Sequence, residues 1–265
     1  MDKTNQAQNQ SSLNRWHTFI SAAAGGAGGA YINFPFEGLK KRLQTGQKIS
    51  LHPRELYRGS TAFAVSVTFA TIASMSFNNA LKEVSSYNHN SSLSNGVSAV
   101  TSGMLGALVG STPVENVILT QQLHKTSPIK AIAKMVKEGG PRRLWVGLPE
   151  LAFREGGFAC AMLYGVEAAR NEALSKTDNK LVAEAAALSV GVVGAAITHP
   201  FDTVATIKQK SDGQLSSTSA IKQIYEINGP KGFFRGVGNR VVLFTGCAYT
   251  IPAISTLVQN WLSKR

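Results

Sequence analysis

The chain has 265 residues, and 27 lysines and arginines against 15 aspartates and glutamates give it a formal net charge of +12. This length allows one large domain or two small ones. A strongly basic balance suits nucleic acid, anionic lipid or anionic solutes. The first sixteen residues are polar, with no apolar core and no arginine-rich amphipathic pattern. They predict a polar tail over residues 1–16, with neither a cleaved secretion signal nor a transit peptide.

Charge is segregated along the chain, and several uncharged stretches match the roughly 20 residues that cross a bilayer. The uncharged stretches are Thr18–Phe36, Gly59–Leu81, Val84–Val114, Ala185–Phe201 and Val241–Ser263, with a shorter one at Gly156–Val166. They are rich in glycine, alanine, serine and threonine, which allow close helix packing in lipid. On composition alone, a soluble enzyme rich in alanine and glycine is the alternative. Nucleic-acid binding is not expected, because the excess cations flank apolar stretches.

One motif occurs three times, as NFPFEGLKKRLQ, STPVENVILTQQ and THPFDTVATIKQ. In each copy an acid follows the proline by two residues and a glutamine follows it by nine. The prolines Pro35, Pro113 and Pro200 stand 78 and 87 residues apart. A second element follows each copy, as ELYRGS, GGPRRLWVGL and NGPKGFFRGV. Two elements recurring in the same order three times indicate an internal triplication.

The repeats predict an all-α membrane protein with six transmembrane helices in three pseudo-threefold repeats. The expected helices lie near 17–45, 60–83, 94–123, 146–171, 182–209 and 237–262. Proline removes a backbone hydrogen bond, so we expect kinks in the three odd helices. Short amphipathic surface helices are expected near 127–137 and 217–227. The transmembrane domain would be a single unit over 17–265, with repeats at 17–90, 91–178 and 179–265. Cations crowd the three connections within the repeats, which places these on one side of the membrane and both termini on the other.

From residue 17 to 262 this pattern resembles the mitochondrial carrier family, whose motif is P-x-[DE]-x-x-[KR]-x-[KR]-x-Q. The resemblance implies transport of a small charged metabolite across the mitochondrial inner membrane by alternating access, as in an antiporter. It implies a multi-pass monomer in the lipid bilayer, with cardiolipin at the loop helices and no cofactor. An enzyme is not expected, because the sequence has no nucleophile with a base, no phosphate loop and no metal-ligand spacing. Cys160 and Cys247 are interpreted as small buried hydrophobic residues.

The resemblance implies a matrix gate at the ends of the odd helices, where each acid pairs with a base of a neighbouring helix. Asp202 would pair with Lys40. The acids Glu37 and Glu115 would lack partners, because Ile118 and Ala205 stand at the corresponding positions. We therefore expect a gate with one ion pair of three and a lower barrier to net, uncoupled transport. The residues that the resemblance assigns to this gate are Glu37, Lys40, Glu115, Asp202, Gln44, Gln122 and Gln209, the glutamines bracing the pairs. Lys41 and Arg42 are interpreted as the exit of the first helix from the membrane.

The resemblance also implies a cytoplasmic gate. Its positions lie twenty and twenty-three residues after Gly59, Gly147 and Gly236, the glycines that open the even helices. Its residues are Asn79, Lys82, Glu167, Arg170, Thr256 and Gln259. Glu167 and Arg170 are the one couple that keeps both charges, and neither finds its expected partner on the next helix. They are equally well read as an ordinary ion pair on one helix face.

The substrate contacts implied by the resemblance lie seven residues after each of those glycines, at Ser66, Arg154 and Leu243, with Glu155 beside the second. Arg154 can bind a carboxylate and Glu155 an amine, which suits a zwitterion such as an amino acid or S-adenosylmethionine. Alternatively, the two charges neutralise each other and only hold helices together, and Ser66 only packs. Arg240 and Lys82 would add positive potential for a nucleotide, so an ATP/ADP-type carrier is the second reading. A transport-inactive scaffold or insertase is the alternative of a different class.

Overall fold

The structure, a computed structural model, describes residues 3–68 and 92–264. The described part of the first repeat contains α1 (Lys3–Thr45), α2 (Pro53–Leu56) and α3, helical over residues 60–68. The second repeat contains α4 (Ser92–Gly106), a π turn (Ala107–Ser111), α5 (Thr112–His124), α6 (Pro128–Gly139), a 3₁₀ turn (Pro141–Trp145), α7 (Leu148–Cys160), a second π turn (Ala161–Gly165) and α8 (Val166–Lys176). The third repeat contains α9 (Lys180–Ile197), α10 (His199–Lys210), α11 (Ser217–Asn228), a 3₁₀ turn (Pro230–Phe234) and α12 (Val237–Leu262).

The three motif prolines sit in different local structures. Pro35 lies inside the uninterrupted α1. A π turn ends two residues before Pro113, and the break between α9 and α10 immediately precedes His199 and Pro200. A proline ring collides with the carbonyl four residues earlier, and a wide turn or a break relieves that collision. The predicted irregularity is thus visible before two of the prolines, while a kink at all three stays a prediction.

The glycines that immediately precede α3, α7 and α12 share one backbone conformation. Gly59, Gly147 and Gly236 have φ values of 99°, 82° and 86°. This left-handed region strains residues that carry a Cβ atom, so glycine is the residue that fits there. The three equivalent turns therefore have the same physical requirement in each repeat.

Two amphipathic helices lie where the sequence predicts them. The side chains of Ser127 and Ser216 cap the first turns of α6 and α11 by accepting hydrogen bonds from backbone N–H groups. Met135 of α6 packs on Val117 of α5, and Ile224 of α11 packs on Val204 of α10. Each loop helix is thereby fixed to the end of the odd helix that precedes it.

Small residues let the helices approach closely. A Cβ atom added at Gly29 of α1 would lie 2.5 Å from the Ile251 side chain of α12. One added at Gly103 of α4 would lie 2.4 Å from the backbone oxygen of Glu155 in α7. Such glycine contacts are typical of helix packing in membranes, where backbones meet at short range.

Among the described residues, three helices are long and apolar enough to cross a membrane: Gly96–His124, Lys180–Ile197 and Pro230–Leu262. Only 6% of the most apolar window of the last helix is buried inside the protein. An apolar helix with so much outward surface fits a lipid environment. The six-span count stays a prediction, and residues 69–83 of the predicted second span lie outside the described residues.

Candidate functional site

A cavity of about 570 Å³ lies between the helices. Its walls include all five of the side chains implied as substrate contacts, namely Ser66, Arg154, Glu155, Arg240 and Leu243. Helices from all three repeats contribute to it, with α3, α7 and α12 carrying these five. The fold thus brings together residues that are up to 177 positions apart in the sequence.

Charged side chains meet at one end of this cavity, near the C-terminal end of α1 and the N-terminal ends of α5 and α10. We call this cluster the loop-side network and define it as Glu37, Lys40, Lys41, Gln44, Glu115, Arg154 and Asp202. Every member is buried, with 7% or less of its surface exposed. Three acids face three cations, so the buried charges balance within the network. Buried ions persist when they are paired and hydrogen-bonded in this way.

Lys40 joins two acids of the loop-side network. Its Nζ lies 2.8 Å from Glu37 Oε2 and 3.1 Å from Asp202 Oδ2. The contact with Asp202 is the one that the family resemblance implies. Glu37 was expected to lack a cation, and the structure corrects this: Lys40, one helical turn away on α1, serves both acids.

Lys41 occupies the position that the sequence analysis assigned to the membrane exit, and that interpretation is wrong. Its side chain is fully buried, and Nζ lies 2.9 Å from Glu115 Oε2. The same ammonium donates to Thr206 Oγ1 at 3.0 Å and lies 4.0 Å from Asp202 Oδ1. Because Lys41 supplies positive charge to Glu115, the cation missing at Ala205 is replaced from α1.

Arg154 is the third cation of the loop-side network, although it lies on α7 and not on one of the helices that carry the proline motif. Its guanidinium donates to Asp202 Oδ1, to Glu115 Oε1 and to Glu155 Oε1. The expectation of a gate with one ion pair of three therefore fails. Mutual neutralisation with Glu155 is also an incomplete description, because Arg154 binds two further carboxylates on α5 and α10.

The three motif glutamines do not behave alike. Gln44 Nε2 donates to Asp202 Oδ2 at 2.7 Å, and Gln44 Oε1 accepts from Thr206 Oγ1 at 3.1 Å. Gln209 donates to the backbone oxygen of Val146 at 3.3 Å. The buried Nε2 of Gln122 has no hydrogen-bond partner among the described residues. Bracing of an ion pair is thus observed for Gln44, and the same role expected for Gln122 and Gln209 is not.

Arg42 contacts the first loop, and its interpretation as the exit of α1 from the membrane stays a prediction. It donates to the backbone oxygen of Lys48 at 3.0 Å and to Glu55 Oε2 at 3.1 Å. A hydrogen bond from Ser50, together with Lys125 and Arg42, lowers the pKa of Glu55. The acid of α2 is therefore kept ionised by partners from two repeats.

A second ion pair, between Arg170 and Glu184, lines the cavity. Arg170 Nε lies 2.9 Å from Glu184 Oε1, and its NH2 lies 3.1 Å from Oε2. Arg170 was expected to lack a partner on the next helix, and this bidentate pair across α8 and α9 corrects that. Arg170 therefore pairs across helices with Glu184 of α9, rather than along α8 with Glu167.

Four further positions were assigned to the cytoplasmic gate, and the two that the structure describes are uncharged. Thr256 and Gln259 are exposed on α12. Asn79 and Lys82 lie outside the described residues. Whether these four positions form a gate stays a prediction.

Arg240 differs from every cation of the loop-side network. It is buried, its NH2 donates to Thr198 Oγ1 at 2.9 Å, and its guanidinium carbon lies 5.9 Å from the centre of the Phe158 ring. Its NH1 is buried and has no hydrogen-bond partner among the described residues. A buried guanidinium with an unused donor beside a cavity is poised to bind an anionic group.

The described residues contain no group of three or more histidine, cysteine, aspartate or glutamate side chains arranged to hold a metal ion. Cys160 and Cys247 are free thiols and only half-buried, against the expectation of full burial. Cys247 lines the cavity.

Comparison with known proteins finds similarity to one family. Residues 179–264 match the family described as "Mitochondrial carrier protein". "Mitochondrial substrate carrier family protein S" of Dictyostelium discoideum is 27% identical over 248 residues, covering 82% of this chain and 87% of that protein. The third predicted repeat of this chain thus matches that family, and the relative extends the similarity along most of its length.

Two proteins of Saccharomyces cerevisiae are similar over the same extent of the chain. The "Mitochondrial carnitine carrier" is 25% identical over 261 residues, with 83% of this chain and 80% of that protein covered. "Mitochondrial ornithine transporter 1" is 28% identical over 263 residues, with 83% and 86% covered. Both relatives are named as mitochondrial transporters of small solutes.

Sequence reasoning missed Lys41 and Glu184 as functional candidates. Lys41 follows Glu37 by four residues, which places both on one face of α1 and was a usable signal. Glu184 carried no signal from spacing, because its partner Arg170 lies on another helix across a loop.

Proposed function

We propose that this mitochondrial carrier transports a zwitterionic metabolite, with an amino acid or S-adenosylmethionine as the expected class. The observation that carries this proposal is the unused donor of Arg240 in a cavity whose charges balance when Arg240 and Glu155 are counted together. Three acids face three cations in the loop-side network, and Arg170 pairs with Glu184. A solute with one negative and one positive group would bind without leaving a net buried charge.

Arg240 and Glu155 would bind the two ends of such a solute. The solute's carboxylate would accept a hydrogen bond from Arg240 NH1, which lacks one otherwise. The Glu155 side chain is 23% exposed and lines the cavity, so its carboxylate can meet a solute ammonium. Ser66 would add a hydroxyl, and Leu243 would contact apolar carbon atoms between the charged ends.

Two relatives support this solute class. Carnitine and ornithine, named in the titles of the two yeast relatives, each carry a carboxylate together with a cationic nitrogen. A site with separate anion and cation contacts suits both molecules. The identities of 25% and 28% are too low to transfer either substrate to this chain.

A nucleotide is the second candidate, and an aromatic pair favours it. The rings of Phe158 and Phe244 meet edge to face with centres 5.5 Å apart, and both residues line the cavity. An aromatic wall next to Arg240 could hold a planar base and a phosphate. Against it, the described cavity has few cations that are not already paired with an acid.

The membrane setting extends this proposal. The carrier would act as a monomer in the inner membrane, with its loop helices at the lipid surface. Ile129 of α6 and Ile227 of α11 are exposed by 80% and 67%. Such side chains, close to the basic loops, would suit an anionic lipid such as cardiolipin.

Uptake into liposomes tests the proposed function. Purified protein is offered labelled amino acids, S-adenosylmethionine and adenine nucleotides, with and without the same solute inside. We expect saturable uptake of a zwitterion that is faster with internal solute. Uptake confined to nucleotides would move the carrier to the second candidate, and no uptake of any solute would favour a scaffold or insertase.

A further inference from the structure

Ser111 has a buried hydroxyl that bonds to nothing else in the described part of the chain. The residue lies in the cavity wall, is 4% exposed, and its Oγ has no hydrogen-bond partner among the described residues. Thr101 and Ser102, on the helix that leads into the same π turn, instead donate to the backbone oxygens of Val97 and Ala99. An unpaired buried hydroxyl costs free energy, which a ligand in the cavity would recover by bonding to it.

The π turn explains why Ser111 does not bond to its own helix. A serine in a helix usually donates to the backbone oxygen three or four residues earlier, which here means Leu108 or Ala107. The N–H of Thr112 donates to the Ala107 oxygen, and Trp145 Nε1 donates to the Leu108 oxygen at 2.9 Å. Both acceptors are therefore occupied, and the Ser111 hydroxyl is left for another partner.

Ser111 lies close to two carboxylates of the cavity wall. Glu115 follows it by four residues, and a helical side chain leans towards the N-terminus, which brings this carboxylate back over Ser111. Arg154 NH2 donates both to Glu115 Oε1 and to Glu155 Oε1. Two oxygens bound to one nitrogen lie within about 6 Å of each other. The Ser111 hydroxyl and the Glu155 carboxylate therefore belong to one part of the cavity wall.

Ser111 and Glu155 offer hydrogen-bond acceptors to a cation. In the described residues only Oε1 of Glu155 is engaged, by Arg154, so its second oxygen is open to a solute. Acceptors of this kind bind a nitrogen that carries N–H groups. A quaternary ammonium has no N–H group and is recognised by aromatic faces. The ring of Phe158 in the cavity wall is already in contact with the Arg240 guanidinium.

We propose that Ser111 and Glu155 together bind a solute ammonium that carries N–H groups, and that Ser111 selects a primary amine over a quaternary one. This inference rests on the proposed function and narrows its solute class to zwitterions with a free amino group. It adds a specificity-determining residue outside the three positions that lie seven residues after the glycines. Arg240 keeps its place at the carboxylate end of the solute.

Uptake of matched solute pairs tests this selection. The probes are labelled alanine, leucine, methionine, ornithine and S-adenosylmethionine, each beside the form in which every amino group is trimethylated. The trimethyl form keeps the charge and the carboxylate but has no ammonium N–H group. We expect wild-type protein in liposomes to take up the amino form at least tenfold faster below saturation. Equal or faster uptake of the trimethyl form would overturn the proposal. Uptake of neither form would remove the proposed function itself, and this inference with it.

Variants of Ser111 assign the selection to its hydroxyl. Ser111→Ala should slow uptake of the amino form about tenfold through a higher KM, because a hydrogen bond to a charged group is lost. Uptake of the trimethyl form should stay within about twofold. Ser111→Thr keeps the hydroxyl and should keep the preference, and Ser111→Cys, a weaker acceptor, replaces Ser111→Ala if that variant does not fold. A Ser111→Ala protein with the wild-type preference would overturn the assignment.

Thr112 supplies the matched control. Its Oγ1 is also buried without a partner among the described residues, but Thr112 is not one of the residues that line the cavity. Thr112→Val should therefore leave both uptake rates unchanged. Without solute, Ser111→Ala and Thr112→Val should each unfold at or above the wild-type temperature, because each removes an unpaired buried hydroxyl. A lower unfolding temperature for Ser111→Ala would assign Ser111 to packing of the π turn and contradict the proposal.

Discussion

Lys41 Nζ lies 2.9 Å from Glu115 Oε2, in a buried ion pair that joins α1 to α5. The pair connects the first repeat to the second at the end of the cavity, where the cation of α10 is replaced by Ala205. The loop-side network thus contains three cations, drawn from α1 and α7. Of these three cations, Lys40 stands at a cation position of the family motif, while Lys41 and Arg154 do not.

Removal of Lys41 should destabilise the protein strongly. Lys41→Met leaves Glu115 with one fewer cation in a buried site, and breaking a buried pair costs about 3–5 kcal/mol. Lys48→Met is the matched control, because Lys48 is exposed in the first loop. Thermal unfolding in detergent should show a clear loss for Lys41→Met and almost none for the control. Equal unfolding temperatures would contradict the structural role given to Lys41.

Alanine at Gly103 should separate α4 from α7. The new Cβ atom would lie 2.4 Å from the backbone oxygen of Glu155, and a backbone atom cannot move aside cheaply. Gly96→Ala, on the same helix, meets nothing within 4 Å and should be neutral or slightly stabilising. Unfolding temperature and detergent-solubilised yield are the measurements. A Gly103→Ala protein as stable as Gly96→Ala would refute this packing.

The Arg170–Glu184 pair should be exchangeable. Arg170→Glu places two acids together between α8 and α9 and should slow uptake, because like charges repel at this end of the cavity. The double variant Arg170→Glu with Glu184→Arg restores an opposite pair and should recover much of the rate. Since the pair is partly exposed, its effect on stability should be at most about 1 kcal/mol. Identical uptake by the single and double variants would exclude a role in transport.

Acid should weaken the contact that Glu138 makes outside the membrane. A hydrogen bond from Arg143 lowers the pKa of Glu138 below its ordinary value of 4.5. An acid with a lowered pKa stabilises the fold above its unfolded-state pKa, and that contribution disappears as pH falls through the folded value. The difference in unfolding temperature between wild type and Glu138→Gln should therefore shrink between about pH 6 and pH 3. A difference that stays constant over this range would show that Arg143 does not favour the ionised form.

The sequence predicted the helices well because the signals for them are local. Uncharged stretches, Pro113 and Pro200, and the glycines before α3, α7 and α12 mark where elements begin and end, whereas Pro35 lies inside α1. The amphipathic patterns of α6 and α11 were equally local. The six-span arrangement was inferred from repetition and stays a prediction beyond the described residues.

The charged partners could not be predicted in the same way. The resemblance gave Lys40 with Asp202, but it assigned no partner to Glu115. Glu115 is contacted by Lys41, one residue after the motif cation Lys40, and by Arg154 of α7, a helix without the proline motif. Which cation reaches a buried acid depends on side-chain length and on how the helices pack. The helix packing cannot be read from one copy of the motif.

Solute uptake by Arg240 variants is the most direct measurement. Arg240→Gln, Arg240→Lys and the matched exposed control Arg235→Gln would be compared with wild type in liposomes, with unfolding temperatures measured in parallel. Loss of a buried charged hydrogen bond to the solute is worth about 2–5 kcal/mol, or roughly thirtyfold or more in uptake. We predict that loss for Arg240→Gln, partial activity for Arg240→Lys and wild-type uptake for Arg235→Gln. Saturable uptake at the wild-type rate by Arg240→Gln would contradict the placement of the solute's anionic group at Arg240.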